Sequence, residues 1–514
     1  MRKKIVIVIL ILIFNFVLLY SQKIVKTNLV EPNTLDPQDS WSVSSLNYSY
    51  NIFDTLLKYK KRTYKLMPSL ATKWKMLNGG YKYILTLRRG VKFHNGENFD
   101  ADSVIFTFKR GLSKEKGKPR FPIFYEMYKY IKSVERAGKY KVVFKLKKPI
   151  VTFLYSLTSI QTAIISPTAV KKYKEKFDFH PIGTGPFVFK RWEKGVKIEL
   201  SANKNYWRGK PRIDTFISIF PHNFGDNQYN PLFLIQNNKI DFTNRYSISK
   251  MVSLKQIKWI KIAKIPLWGT EFLMFNLSKK PFDNIYFRKA MNYLWNKRTL
   301  RYIFQEYIIP TDSLLPRNVP GYDEKNIEKY PFSIKKAKMM IKKAGIKKRL
   351  KIEYSTVNLT NDLSYDMMLR YKKVLKTVGI DMDIKIYSMK EFDKKIANND
   401  FDIILSGIIA DYPEMYSFLA PLFLAKSVNL GAPTFERYMK VDRIRKMLKT
   451  ASIEVSDLKR AEIYRNINSI VSKEALIVPV MQVMDLIIYR DNIKGLSEDF
   501  VGVIDLYNLR INEN

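Results

Sequence analysis

The chain has 514 residues, material for about two to four domains, and 46% hydrophobic with 14% aromatic residues supply packed cores and exclude a disordered chain. It contains no cysteine, which excludes disulfides, thiolate metal sites, cysteine nucleophiles and a lipidated cysteine; its three histidines, His94, His180 and His222, show no H-E-x-x-H spacing, so neither a metal site nor a cofactor is expected. The formal net charge of +43 is spread along the chain without a long single-sign block, the pattern of a lysine-rich solvated surface that keeps a protein soluble and monomeric, with no nucleic-acid partner implied.

Met1-Arg2-Lys3-Lys4 is a short cationic start, and an apolar run follows from Ile5 to about Tyr20, broken only by Asn15. About 15 residues is the length of a signal-peptide core and short of the about 20 that span a membrane. Residues 1–21 are therefore read as an export signal, with Ser21 before the cut and Gln22 after it. Leu19, where a small residue is preferred, leaves an uncleaved anchor as the alternative.

Further along, Asn78-Gly79-Gly80 is turn chemistry, and Tyr81–Arg88 alternates apolar and polar as a half-buried strand does. Asp100 is a helix N-cap ahead of Val104, Ile105 and Phe108. Phe287, Met291, Leu294 and Trp295 recur at helical spacing. From Ser333 the pattern alternates helix and strand. Ser333 caps a helix stopped by Gly345, Leu350–Val357 is a strand, and a second helix from about Leu363 is stopped by Gly379. Met382, Ile384 and Ile386 form a strand, a short helix covers 390–398, and Phe401–Ala410 is an apolar run. Such alternation predicts an α/β protein with a mixed or parallel sheet covered by helices. No repeat and no low-complexity linker interrupts it.

Catalytic signatures are missing. Gly183-Thr184-Gly185 invites a nucleotide reading, but Val188 stands where the third glycine belongs, and Pro186 with Phe187-Val188-Phe189 leads into a strand and not a helix N-terminus. No P-loop, G-x-S-x-G elbow or S-x-x-K set is present. Asp402 and Asp411 are a carboxylate pair of the kind that occurs by chance. The chain is read as a non-enzyme.

Ordered blocks of residues carry a resemblance. Met67-Pro-Ser-Leu-Ala-Thr-Lys-Trp-Lys, then Tyr81–Leu87, then Arg89-Gly-Val-Lys-Phe-His-Asn-Gly-Glu-Asn-Phe-Asp-Ala-Asp-Ser-Val resembles the signature region of the peptide/nickel-type solute-binding proteins of ABC importers. Pro181-Ile-Gly-Thr-Gly-Pro-Phe with Asn203-Lys-Asn-Tyr-Trp, Phe275-Asn276 with Pro281-Phe282-Asp283 and Arg288-Lys-Ala, and Leu315-Pro316 with Gly321-Tyr322 agree in order with later blocks of that family. The resemblance covers essentially the whole chain after the export signal. It implies a periplasmic binding protein-like fold, two α/β lobes around a ligand cleft plus an extra domain. It also implies capture of a peptide by hinge closure, with delivery to a membrane permease and its ATPase. The layout it implies has lobe I at 22–45, 180–264 and 484–514, the extra domain at 46–179 and lobe II at 265–483. Without a lipidated cysteine, the exported chain is expected free in a periplasm. The rivals are a same-fold binder of an oligosaccharide or metal chelate, and a peptide sensor or chaperone without transport.

Most of the matching glycines read as scaffold. Gly90 and Gly96 are turn residues, and Gly183 and Gly185 allow a tight turn open to positive φ. The ligand candidates lie elsewhere. Ala410-Asp411-Tyr412-Pro413-Glu414 resembles the A-D-Y-x-E/D-P segment of oligopeptide-binding members, whose aspartate receives the peptide's α-ammonium group, a role that falls here on Asp411. Ile408 and Ile409 stand where relatives often carry an aromatic wall, and Met415 stands where a proline is usual. Trp41 and Trp268 are the remaining wall candidates, each with a plain reading as a core residue.

Overall fold

The computed structural model describes residues 22–28, 30–40, 42–60, 63–121, 124–125, 128–220, 230–244, 257–357, 362–424, 439–497 and 502–512. Local signals act as expected within them. The Asp100 carboxylate accepts from the backbone of Asp102 and Ser103 and opens the helix Ala101–Leu112, which buries Val104 and Phe108. The spacing of Phe287, Met291 and Leu294 becomes the helix Ile285–Leu294, and a second helix, Lys297–Phe304, starts at an Asn296 cap. Ser333 caps Ile334–Lys343, and Gly345 and Gly379 adopt positive φ just beyond the helices they stop. Leu350–Val357, Ile380–Tyr387 and Ile403–Ile409 are strands. The export signal, 1–21, lies outside the described residues.

An eleven-stranded mixed sheet unites these elements among the described residues. Its order is Phe187–Glu193, Lys197–Ala202, Thr215–Ile219, Lys23–Thr27, Phe242–Asn244, Ile477–Arg490, Ile260–Phe275, Ile403–Ile409, Leu350–Val357 and Ile380–Tyr387, with Ile309–Pro310 added beside Ile477–Arg490. Parallel pairing occurs at Lys23–Thr27 in one half and at Leu350–Val357 in the other. The two long central strands run through both halves. Ile260 to Pro266 face Arg490 to Met484, the register then shifts, and Thr270 to Met274 face Gln482 to Ile477. Residues 267–269 fall in the gap, where the Gln482 side-chain amide donates to the Leu267 carbonyl at 2.9 Å.

Each half buries its own core. Ile24, Tyr48, Ile52, Phe53, Phe187, Leu200, Phe216 and Phe242 pack together on the first. Phe272, Phe275, Phe287, Met291, Tyr354, Ile403, Phe418 and Leu448 pack on the second. A separate antiparallel sheet, ordered Ala71–Leu77, Lys82–Leu87, Lys141–Leu146 and Ile131–Gly138, has a third core around Tyr83, Phe108, Phe124 and Phe144. That core runs in sequence from Leu56 to Leu157 with Ile164, whereas Tyr48, Phe53, Ile160 and Phe177 belong to the first half.

Asp54 joins this third unit to the first half. Its carboxylate, fully buried, accepts from Lys58 Nζ at 2.8 Å, Tyr206 Oη at 3.0 Å, Trp207 Nε1 at 2.9 Å and Thr184 Oγ1 at 3.1 Å. Gly183 and Gly185 pass beside it without positive φ. Contact, and not the expected turn geometry, requires glycine there: a Cβ on Gly183 would lie 2.2 Å from the Ile52 carbonyl oxygen, and one on Gly185 2.6 Å from the Ile52 carbonyl carbon. His94 closes the same corner, its Nε2 3.0 Å from the Gly185 carbonyl, and burial pushes its imidazole down to about 4. It stands there as a neutral scaffold group.

Candidate functional site

The strand Ile403–Ile409 buries Ile403, Ile404 and Ile408 almost fully, leaves Leu405, Ser406 and Ile409 half-buried and exposes Gly407. It lies between Ile260–Phe275 and Leu350–Val357. At its end the Ala410 amide donates to the Trp268 carbonyl at 2.9 Å, so the strand stops against the crossing of the two long strands. Asp411 comes next, at the strand end where sheets of this type present loops to ligands.

The turn after Asp411 is held rigidly from below. Glu414 Oε2 accepts from the Tyr416 amide at 2.6 Å and caps the helix Met415–Phe423. Glu414 Oε1 accepts from Tyr464 Oη at 2.6 Å and from Arg460 at 3.4 Å, both on the helix Asp457–Lys473. Burial holds the Glu414 carboxyl above its ordinary range, against the opposing pull of Tyr464 and Arg460. Ser417 Oγ donates to the carbonyls of Tyr412 and Glu414 at 3.0 and 2.8 Å. A buried acid with these partners is scaffold.

Asp411 is the opposite case. Its side chain is exposed, and among the described residues it takes part in no hydrogen bond or ion pair. Protein nevertheless crowds the space around it, and desolvation pushes its carboxyl up to about 6. Its charge is felt by neighbouring groups although the side chain itself is exposed. The third unit forms the facing wall. Tyr128, with its hydroxyl donating to the Ser156 carbonyl at 2.8 Å, lies close enough for the Asp411 charge to add to the burial that raises its phenol. Tyr155 is raised first by burial and then by Asp457 and Glu414 across the same boundary. A backbone bond from the Val151 amide to the Ser452 carbonyl, 2.9 Å, ties this unit to the second half.

The other sequence candidates separate clearly. Ile408 and Ala410 are core residues, 6% and 0% exposed. Ile409 is half-buried, and its Cγ1 would lie 2.7 Å from a Cβ on Gly269. Tyr412 is buried, close to Tyr128 and Glu414. Trp268 is 2% exposed, its ring 4.3 Å from that of Tyr64. Trp41 lies outside the described residues. Asp402 is occupied structurally, accepting from the Glu353 amide at 2.9 Å and from Lys279. Sequence reasoning passed over Tyr128, the Arg460–Glu414 support and Glu271. The last had a signal, an acid directly ahead of the apolar run Phe272–Phe275. Among the described residues no grouping of histidines and acids could hold a metal ion, and no helix is long and apolar enough to cross a membrane.

Two sheet halves joined by a pair of long shared strands, a third unit packed against the second half and an exposed acid at a strand end fit a two-lobed binding protein. The chain belongs to the bacterial extracellular solute-binding proteins, family 5, whose model matches residues 65–429. It is a solute-binding protein of the ABC-importer type and not an enzyme. It is 26% identical to the dipeptide-binding protein of Escherichia coli over 494 residues, covering 90% of this chain and 89% of that one. It is also 26% identical to heme-binding protein A of Haemophilus influenzae, covering 90% and 87%. The structure of the periplasmic binding protein DppA from Helicobacter pylori, in complex with the peptide STSA, matches with a TM-score of 0.82 at 24% identity, over 96% of this chain and 98% of that one.

Proposed function

We propose that this protein captures peptides with a free amino terminus in the periplasm and delivers them, as a monomer, to the permease and ATPase of an importer. One observation carries the reading: Asp411, an exposed acid with no hydrogen bond or ion pair among the described residues, stands just past the strand Ile403–Ile409, where an α-ammonium group would supply the counter-charge. The relatives named for dipeptides support it, and the relative named for heme marks the main rival. The layout that goes with it has lobe I at 22–45, 180–264 and 484–514 and lobe II at 265–483. The packing of the third core argues for narrowing the extra domain from 46–179 toward Leu56–Leu157. The ligand bridges the lobes, and closure bends the crossing near 267–269.

Calorimetry with free and N-acetylated peptides tests this. Asp411→Asn should weaken free-amine peptides by roughly 2–4 kcal/mol, the range for losing one partner of an enclosed charge pair. Acetylated peptides should bind the wild type poorly and bind both proteins alike. If acetylation and the substitution each leave affinity unchanged, the amine role is wrong. If hemin binds and peptides do not, the heme-type reading replaces this one.

A further inference from the structure

Glu271 is an acid that neither the fold nor the Asp411 site uses. It lies on the central strand Ile260–Phe275, just past the crossing, paired with Gly407 on one side and Met481 on the other. Residues directly opposite in an antiparallel pair share a face, and so do alternate residues along a strand. The pairs Glu271–Gly407 and Gly269–Ile409 therefore put Glu271, Gly407, Gly269 and Ile409 on one face. Two of those four have no side chain. Gly407 is exposed, and a Cβ there would lie 3.2 Å from Glu271 Cγ, so glycine leaves the side of the carboxylate open. Asp411 follows Gly407 by four residues, a distance of at most about 13 Å along an extended chain.

The Glu271 carboxylate makes no hydrogen bond or ion pair among the described residues; Tyr354 is the group whose phenol feels its charge. Among the described residues it caps no helix and meets no lysine, in a chain with 90 basic residues against 47 acidic ones. Desolvation alone pushes it up to about 7. A half-buried acid with no counter-charge lowers stability, and a scaffold position would be served better by glutamine or an apolar residue.

We propose that Glu271 is a second acidic subsite on the ligand face, selecting peptides that carry a lysine or arginine side chain in their first two residues. The inference rests on the peptide reading and extends it from the ligand's amino terminus to its side chains. An extended peptide advances about 3.3 Å per residue, so with its ammonium at Asp411 a lysine at position one or two reaches back along the Gly407 track to Glu271.

Four tripeptides decide it: Lys-Ala-Ala, Ala-Lys-Ala and their norleucine counterparts, titrated calorimetrically into wild type and Glu271→Gln. Norleucine keeps the aliphatic stem and removes the charge. The wild type should prefer lysine at one of the two positions by about tenfold, the lower range for an enclosed charge pair. Glu271→Gln should shrink that preference to within about twofold with norleucine affinity unchanged. Thermal unfolding of the variant confirms that the fold is intact. Equal binding of lysine and norleucine peptides to the wild type, or a preference that survives the substitution, overturns the inference and leaves the peptide reading standing. If none of the four binds the wild type, both fall together.

Discussion

Asp54 and Asp411 are the same residue type placed in two kinds of surroundings. Asp54 is fully buried at the joint between the third unit and the first lobe and accepts from four donors. Asp411 stands exposed just past the strand Ile403–Ile409 and accepts from none among the described residues. In the first, the protein has supplied the partners that an enclosed carboxylate requires, and the result is a fixed corner. In the second it has supplied a rigid turn, through Glu414, Tyr464 and Arg460, but no counter-charge. On the proposed reading, structural acids such as Asp54 are satisfied when the ligand is away, and a ligand-receiving acid is not.

Three substitutions press on that contrast. Asp54→Ala leaves Tyr206, Trp207, Thr184 and Lys58 without their acceptor, and should destabilise the protein by about 3–5 kcal/mol, the scale for breaking a buried ionic network. Denaturant unfolding measures it, and a midpoint unchanged from wild type would remove the hub role. Glu271→Gln should act in the opposite direction. Its carboxyl is raised from 4.5 to about 7 in the folded chain, so folding is unhindered below about pH 4.5, and stability is lost as pH rises through 7. In the ligand-free protein the glutamine variant should therefore match wild type near pH 4 and exceed it by up to about 3 kcal/mol at pH 8. A gain that is the same at both pH values would contradict the desolvated acid. Asp411→Asn should show the same sign with a smaller size, under about 1 kcal/mol at pH 8, because water screens an exposed side chain. Marked destabilisation by this change would show that Asp411 belongs with Asp54 after all.

The sequence made the second lobe legible because each of its elements has a local start and stop: Ser333 and Gly345, Gly379, and the alternation through Ile384. It also led to the turn at Asp411, through the resemblance and the apolar strand before it. The long strands Ile260–Phe275 and Ile477–Arg490 escaped, since their pairing spans more than two hundred residues of chain and their two ends are buried against different cores. Gly183 and Gly185 looked like turn glycines, because a sequence shows small size but not the backbone of Ile52 pressing on it. Glu271 stood in plain view ahead of an apolar run, yet what distinguishes it, the lack of a hydrogen bond or ion pair among the described residues, exists only once the chain is folded.

The crossing of the two long strands has a mechanical consequence. The ladder between the two long strands lapses at residues 267–269, while Gly269 stays paired with Ile409 on the other side. Ala410 is bonded to Trp268 in that stretch, and Asp411 is its neighbour. If the lobes close about this stretch, as proposed, the acid sits near the fulcrum, where a turn of the lobes displaces atoms least, while the rims travel furthest. On the proposed reading a ligand held at Asp411 works on a short lever arm, and a fraction of an ångström gained in its grip becomes a large excursion at the outer surfaces.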